Sequence, residues 1–277
     1  MNWNIICDSG CDLFALEKES ENIAYKSVPF YITIENKEFT DDETLNVEEM
    51  VCKMKESKLA SSTACPSPEA WQSQMKKGGN NICVTVSKNL SGSYASGNIA
   101  VTTMCEENPD TKAAMVDGCA TGPASVLTVR KIAELIENGE SFEDVVKKTE
   151  EYVSGINTVF ALSSFDNLVK SGRVSKIAGI LAASLNFWGV GLEVDGRISV
   201  HDKVRGKKKA ISSMIGLIKE KGFNGKEVVI SHCMNEPLAL TMKEEIEKIN
   251  SDINVTILKT RGLNSYYADK EGIIISY

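Results

Sequence analysis

The run Asn81-Ile82-Cys83-Val84-Thr85-Val86 breaks at Ser87 and passes through Lys88-Asn89-Leu90-Ser91-Gly92-Ser93 into a helix-forming stretch near Tyr94. A β-branched strand followed at once by a helix is half of a βαβ unit, which commits this part of the chain to a parallel sheet with helices packed on it. The connecting loop sets two hydroxyls and a glycine at a helix start. Unpaired backbone N–H groups and the positive end of the helix dipole favour a carboxylate or phosphate there. Capping of the helix by Ser91 or Ser93 accounts for the same residues, and caps far outnumber anion sites.

Further strand-like runs at Trp3–Cys7, Lys112–Val116 and Asn157–Ala161 alternate with helical stretches, which predicts an N-terminal three-layer α/β domain with a mostly parallel sheet. Asn46 is placed to cap a helix over Val47–Ser57, Ser67-Pro68-Glu69 opens another that Gly78-Gly79 closes, and Gly139 ends a third that starts near Ala124. Tyr25–Thr40, with a turn at Asn36, reads as a small hairpin appended to the sheet. After Leu162 the character changes. Helices over Phe165–Lys170 and Ser175–Leu185 lead to Phe187–Val194 and Arg197–Val204, joined by Asp195-Gly196, a hairpin signal that brings antiparallel pairs into a second sheet. A helix near Gly206–Lys221, a strand Glu227–His232, a helix Pro237–Ile249 and strands Asn254–Lys259 and Ile273–Tyr277 complete a C-terminal α+β domain with a mixed sheet. The chain of 277 residues is therefore expected to divide into 1–162 and 163–277.

Composition narrows the function. A net charge of -7 argues against nucleic acid as the main partner, since neutralising phosphates needs a concentrated basic face. The start, Met1-Asn2-Trp3-Asn4-Ile5-Ile6-Cys7-Asp8, has no basic flank for a signal peptide, and no apolar run approaches a membrane span. The eight cysteines are scattered without a Cys-x-x-Cys pair, which fits reduced thiols in a cytoplasmic protein. No His, Cys and carboxylate cluster has ligand spacing, so neither a metal nor a cofactor is expected.

Two more hydroxyl-rich segments accompany the Ser91 loop: Asp8-Ser9-Gly10-Cys11-Asp12-Leu13 after the first strand, and Ser61-Ser62-Thr63-Ala64-Cys65-Pro66-Ser67-Pro68. All three are expected at the carboxyl ends of the parallel strands, where open α/β sheets bind ligands. Thr63 and Ser91 can then share one anionic head group through O–H donors, backed by the N–H groups around Gly92.

In this order the segments resemble the DegV family of bacterial fatty-acid-binding proteins. The resemblance rests on Asp8-Ser9-x-x-Asp12-Leu13, on Thr63-Ala64-Cys65-Pro66-Ser67-Pro68 against T-S-Q-P-S, and on Leu90-Ser91-Gly92-Ser93-Tyr94 against L-S-G-T-Y. It continues through Ser171-Gly172-Arg173-Val174 against G-G-R-I, Asp195-Gly196, and Lys203-Val204-Arg205 against K-V-R. The resemblance implies a long-chain fatty acid buried between two domains, its carboxylate held at Thr63 and Ser91. It further implies a role as the fatty-acid-binding subunit beside a separate kinase, with Arg173 and Arg205 near the opening to dock that partner or a phosphate. One signature departs: where the family has I-G-x-H-x-G-P-G, this chain reads Arg261-Gly262-Leu263-Asn264-Ser265-Tyr266-Tyr267-Ala268. Asn264 in the histidine's place can donate to a carboxylate but cannot become cationic or shuttle a proton.

The expected carboxylate-binding set is thus Thr63, Ser91, Gly92 and Asn264, with Asp8, Ser9, Cys65 and Ser93 supporting the loops. Ile180, Leu181, Ala182, Ala183 and Phe187 are candidates for the tunnel wall, although a core helix has the same look. The rival from another class is a hydrolase or an acyl- or phosphoryl-transfer enzyme with Ser91 or Thr63 as nucleophile. It lacks a base with a motif around it: His201 falls in the predicted hairpin and His232 at a strand end. Lys207-Lys208-Lys209 reads as a solvated helix start beside Arg205.

Overall fold

The computed structural model describes residues 2–18, 20–174, 186–223 and 225–277. The helix expected over 175–185, and with it Ile180, Leu181, Ala182 and Ala183, lies outside the described residues. Four strands, β1 (Trp3–Asp8), β2 (Ile23–Val28), β6 (Asn80–Thr85) and β7 (Lys112–Asp117), form a parallel sheet in the order β2-β1-β6-β7. Between β2 and β6 come β3 (Tyr31–Ile34), β4 (Lys37–Thr40), α1 (Val47–Glu56), β5 (Ser61–Ala64) and α2 (Pro68–Gln74). Helices α3 (Ser93–Glu107), α4 (Pro123–Glu137) and α5 (Phe142–Val153) complete the first half.

Alternation along the strands builds the three layers. Ile5, Cys7, Ile82 and Val84 pack against Val126, Val129 and Ile132 of α4 and Val145 of α5, while Ile6 and Cys83 pack against Trp71 of α2 and Ala100 and Met104 of α3. Strands covered on both faces need apolar residues at consecutive positions, which is why they read as continuous runs. The caps are those expected: Asn46 Oδ1 accepts from Glu49 N at 3.1 Å, and Ser67 Oγ from Ala70 N at 3.2 Å.

The second sheet comprises β8 (Thr158–Leu162), β9 (Phe187–Val194), β10 (Arg197–Arg205), β11 (Glu227–His232), β12 (Asn254–Lys259) and β13 (Ile273–Ser276), in the order β10-β9-β8-β13-β11-β12. Only β11 and β12 run parallel. Helices α6 (Asp166–Lys170), α7 (Lys207–Glu220), α8 (Glu236–Glu247) and α9 (Gly262–Ala268) connect them. Asp195 and Gly196 both take positive φ, +51° and +73°, as a two-residue turn matching the strand twist requires. One face, with Val159, Ala161, Val190 and Ile275, packs on Met214 and Leu217 of α7 and Met242 of α8. The other presents Phe160, Leu162 and Ile274 toward α1, α9 and the small sheet.

Three assignments differ from expectation. The run near 157–161, expected to alternate with helices in the first sheet, pairs antiparallel with β13 and β9 and lies inside the second. Ile23–Val28 is an edge strand of the parallel sheet; its Tyr25 and Ser27 are only partly covered and its Lys26 is exposed, so it lacks the apolar run that marks its neighbours. The hairpin is a three-stranded sheet, β4-β3-β5, because Ser61–Ala64 is its edge strand rather than a loop. The sequence Ser-Ser-Thr-Ala carries no strand signal; its alternation of half-buried and exposed positions comes with the pairing to β3.

Candidate functional site

The carboxyl ends of the parallel strands face the inner side of the mixed sheet, and a chamber lies between them. It encloses about 860 Å³ of atom-free space, mouth included. Its floor is Phe160, Leu162 and Ile274 from β8 and β13 with Ile198 from β10; its roof is Phe30, Val86, Leu90, Ala120 and Leu263. At one end stand Thr63, Ser91, Arg173 and Tyr267. A shallower, polar vestibule lined by Lys88, Asn89, Gly92, Tyr94 and Gly172 continues outward, and shares Leu90, Ser91, Arg173, Arg197 and Ile198 with the chamber.

Asp8 ties the strand-end loops together. Its Oδ1 accepts from Gly10 N at 3.2 Å, and its Oδ2 from Val86 N at 3.1 Å and Ser93 Oγ at 2.7 Å. Full burial pushes its carboxyl up to about 7, against the pull of those three donors. Ser9 Oγ accepts from Phe30 N at 2.9 Å. Asp8, Ser9 and Ser93 are therefore struts that position the loops. Gly92 is the residue before α3 and makes no side-chain cap; Ser91 Oγ accepts from Ser93 N at 3.2 Å, which leaves its own O–H unspent. The capping alternative is thus met in part by the same residue that faces the chamber. Cys65 is half-buried beside Phe30, Val86, Leu263 and Tyr267, and desolvation pushes its thiol up.

Asn264 lies in the chamber wall with its amide committed. Its Nδ2 donates to Gly10 O at 2.9 Å and to Asp12 Oδ1 at 2.8 Å, and its Oδ1 accepts from Thr121 Oγ1 at 2.6 Å. Both N–H groups are spent on the protein, so Asn264 braces the first loop to the loop after β7. Asp12, pushed up to about 6 by burial, also accepts from Arg261 N at 2.8 Å. The buried Arg261 guanidinium reaches Leu13 O, Ser27 Oγ and Asp41 O, and Asp41 accepts from Gly262 N and Leu263 N, both at 2.8 Å. These contacts fix the start of α9, which carries Asn264 and Tyr267.

Thr63 and Ser91 are brought to the same chamber, with Thr63 Oγ1 2.9 Å from Tyr267 Oη. Arg173 stands at the mouth: Nε donates to Leu90 O at 3.1 Å, Nη1 to Ser171 O at 2.8 Å, and the guanidinium lies 5.9 Å from the Tyr267 ring centroid. Arg205 does not join it. It is exposed at the far end of β10, paired with Phe187, and lines neither space. Arg197, at the near end of the same strand, lines both. Eight residues of extended chain separate the two arginines, roughly 27 Å. The signal for Arg197 was its place directly after the Asp195-Gly196 turn. Phe187 is likewise off the chamber, with Lys203 Nζ 4.9 Å from its ring centroid.

His201 is exposed on β10, and His232 is buried with Nδ1 accepting from Asn235 N at 3.1 Å. Neither is among the described residues lining the chamber. Among the described residues there is no cluster that could hold a metal ion, and no helix long and apolar enough to cross a membrane.

A parallel α/β layer and a mixed sheet enclosing an apolar chamber, with neutral hydroxyls and two arginines, Arg173 and Arg197, at its mouth, define a protein built to hold an elongated apolar molecule with a polar end. The chain belongs to the DegV family: residues 2–267 match the family model described as "Uncharacterised protein, DegV family". A DegV domain-containing protein of Streptococcus pyogenes serotype M1 is 35% identical over 278 residues, covering 100% of this chain and 99% of the relative. The Streptococcus pneumoniae Fatty Acid Kinase (Fak) B3 protein, solved loaded with linoleic acid, superposes with a TM-score of 0.96 at 34% identity, covering 100% of this chain and 99% of that one. A DegV family protein from Eubacterium eligens, loaded with heptadecanoic acid, gives a TM-score of 0.93 at 31% identity, covering 99% and 98%.

Proposed function

We propose that this chain binds one long-chain fatty acid, with the carboxylate at the Thr63 and Ser91 end and the tail along the Phe160, Leu162 and Ile274 floor. The observation that carries the reading is the coincidence, in one chamber, of an apolar interior with unspent hydroxyl donors at its mouth. The two solved structures described above, from Streptococcus pneumoniae and Eubacterium eligens, were loaded with fatty acids. Burying about 14 methylenes at ~0.8 kcal/mol each gives on the order of 11 kcal/mol before the losses of ordering the chain, so the tail supplies affinity. The hydroxyls supply orientation and offset the desolvation of the head group.

The same reading makes the chain a cytoplasmic carrier rather than an enzyme, presenting the carboxylate to a separate kinase. The pneumococcal relative's name places it with a fatty acid kinase. The polar vestibule outside the mouth, with Lys88, Arg173 and Arg197, offers positive charge where a phosphoryl group would arrive. Mass spectrometry of the organic extract from undenatured protein tests the reading, beside a Thr63→Ala/Ser91→Ala variant. One fatty acid per chain in the parent, depleted in the variant, supports it; an empty parent that takes up no added oleate refutes it.

A further inference from the structure

Ser61 and Thr63 stand two apart on β5, so their hydroxyls share one face. Consecutive tyrosines of α9 meet them as two rungs, Tyr266 Oη with Ser61 Oγ and Tyr267 Oη with Thr63 Oγ1, each at 2.9 Å. The rungs sit in different surroundings. Tyr266 is buried in the core beneath the chamber, whereas Tyr267 is half-buried and lines it. Among the described residues neither Thr63 Oγ1 nor Tyr267 Oη has a second hydrogen-bond partner. Two hydroxyl protons therefore serve one internal bond, and one proton is left facing the chamber. Opposite a bound carboxylate, the strongest acceptor in reach, acidity decides which: a phenol, with an ordinary pKa of about 10, is a stronger donor than an alkyl alcohol. Thr63 then donates inward to Tyr267, and the first bond polarises the second. The ring is held for this, with Tyr266 edge-on at 4.9 Å between centroids and the Arg173 guanidinium 5.9 Å from its own centroid.

On the fatty-acid reading above, we infer that Tyr267 is a carboxylate-binding residue, its Oη donating to the ligand's head group while Thr63 acts through it as a positioning residue. The test is titration of oleate, and of oleyl alcohol as the uncharged probe, into parent, Tyr267→Phe and Thr63→Val. Phenylalanine keeps the ring contacts and removes one oxygen. Oleate affinity is expected to fall about tenfold or more in Tyr267→Phe, as for a lost hydrogen bond to a charged group, with a smaller loss in Thr63→Val and little change for the alcohol. Unchanged oleate affinity in Tyr267→Phe overturns the assignment alone, and so does an equal loss for acid and alcohol, the mark of an altered chamber shape. A parent that binds neither probe overturns the carrier reading and the assignment with it. Should Tyr267→Phe fail to fold, 3,5-difluorotyrosine at 267 replaces it: a stronger hydrogen-bond donor of nearly the same shape is expected to strengthen oleate binding at pH 6 and to leave oleyl alcohol nearly unchanged. Equal oleate affinity of the two proteins overturns the assignment.

Discussion

Ser93 Oγ donates to Asp8 Oδ2 at 2.7 Å, joining the end of β1 to the first turn of α3 across 85 positions of sequence. The bond lowers the proton affinity of a carboxyl that burial drives from its ordinary 3.8 to about 7. Between those values the folded protein keeps a proton at Asp8 that the unfolded chain has released. Stability from this group is therefore full below the unfolded pKa and lost as pH rises through 7, with a slope of at most about 1.4 kcal/mol per pH unit. Asp12, raised to about 6, acts in the same direction; His232, lowered by burial, acts in the opposite one. Asp8→Asn removes only the first contribution. The gap in melting temperature between parent and variant is expected to shift against the parent from pH 5 to pH 8, and a gap independent of pH would show that Asp8 titrates normally.

Asn264→Ala is expected to lower stability by about 3 kcal/mol, since it strips hydrogen bonds from the Asp12 carboxyl, the Gly10 carbonyl and the Thr121 hydroxyl in a buried place. Urea unfolding measures the loss. With both amide protons spent on the protein, its effect on the preference for oleate over oleyl alcohol is expected to be small beside that of Tyr267→Phe. A large loss of acid preference with unchanged stability would return Asn264 to the head group.

The contrast between Asn264 and Tyr267 marks how far the sequence could be read. Both parallel strands with strong apolar runs, β1 and β6, were legible because burial on two faces leaves an unmistakable composition, and the Asp195-Gly196 turn announced β9 and β10. Ser91 falls at the parallel-strand end where the sequence placed it, whereas Thr63, expected in a like loop, lies within β5 of the small antiparallel sheet and still lines the chamber. What one residue spends its hydrogen bonds on was not legible: Asn264 is consumed by Gly10 and Asp12, more than 250 positions away, and nothing local encodes that. The same holds for β5, four residues whose strand character comes from pairing with β3, and for β8, whose apolar run fits either sheet until its partners are known. Arg205 was singled out by motif, whereas Arg197, which no motif marked, lines the chamber and the vestibule.

Arg173 and Arg197 line both the chamber and the polar vestibule outside it, and Arg205 lines neither. Arg197→Gln is expected to slow oleate association about two- to fivefold at low salt, with the effect shrinking as ionic strength rises, while Arg205→Gln leaves the rate unchanged. Stopped-flow binding at two salt concentrations separates them. Equal slowing by both variants would indicate a diffuse field rather than a gate.

Phe160 is the bulkiest side chain of the chamber floor. Phe160 projects from β8 beside Gly191 of β9, where a Cβ would come within 2.5 Å of its ring, so the glycine exists to seat the phenylalanine. Gly191→Ala would also bring that Cβ to 2.2 Å from Ser199 O on β10, so it is expected to destabilise by about 1–3 kcal/mol through overpacking. Phe160→Ala does the reverse: it empties ring volume into the chamber, at a cost of about 3–5 kcal/mol in the unliganded protein. A longer acyl chain can refill that space. The variant is therefore expected to recover more stability from a C20 acid than from palmitate, reversing or flattening the parent's order, as read by melting temperature at matched ligand concentration. An unchanged order of preference would mean that the tail runs elsewhere than over β8.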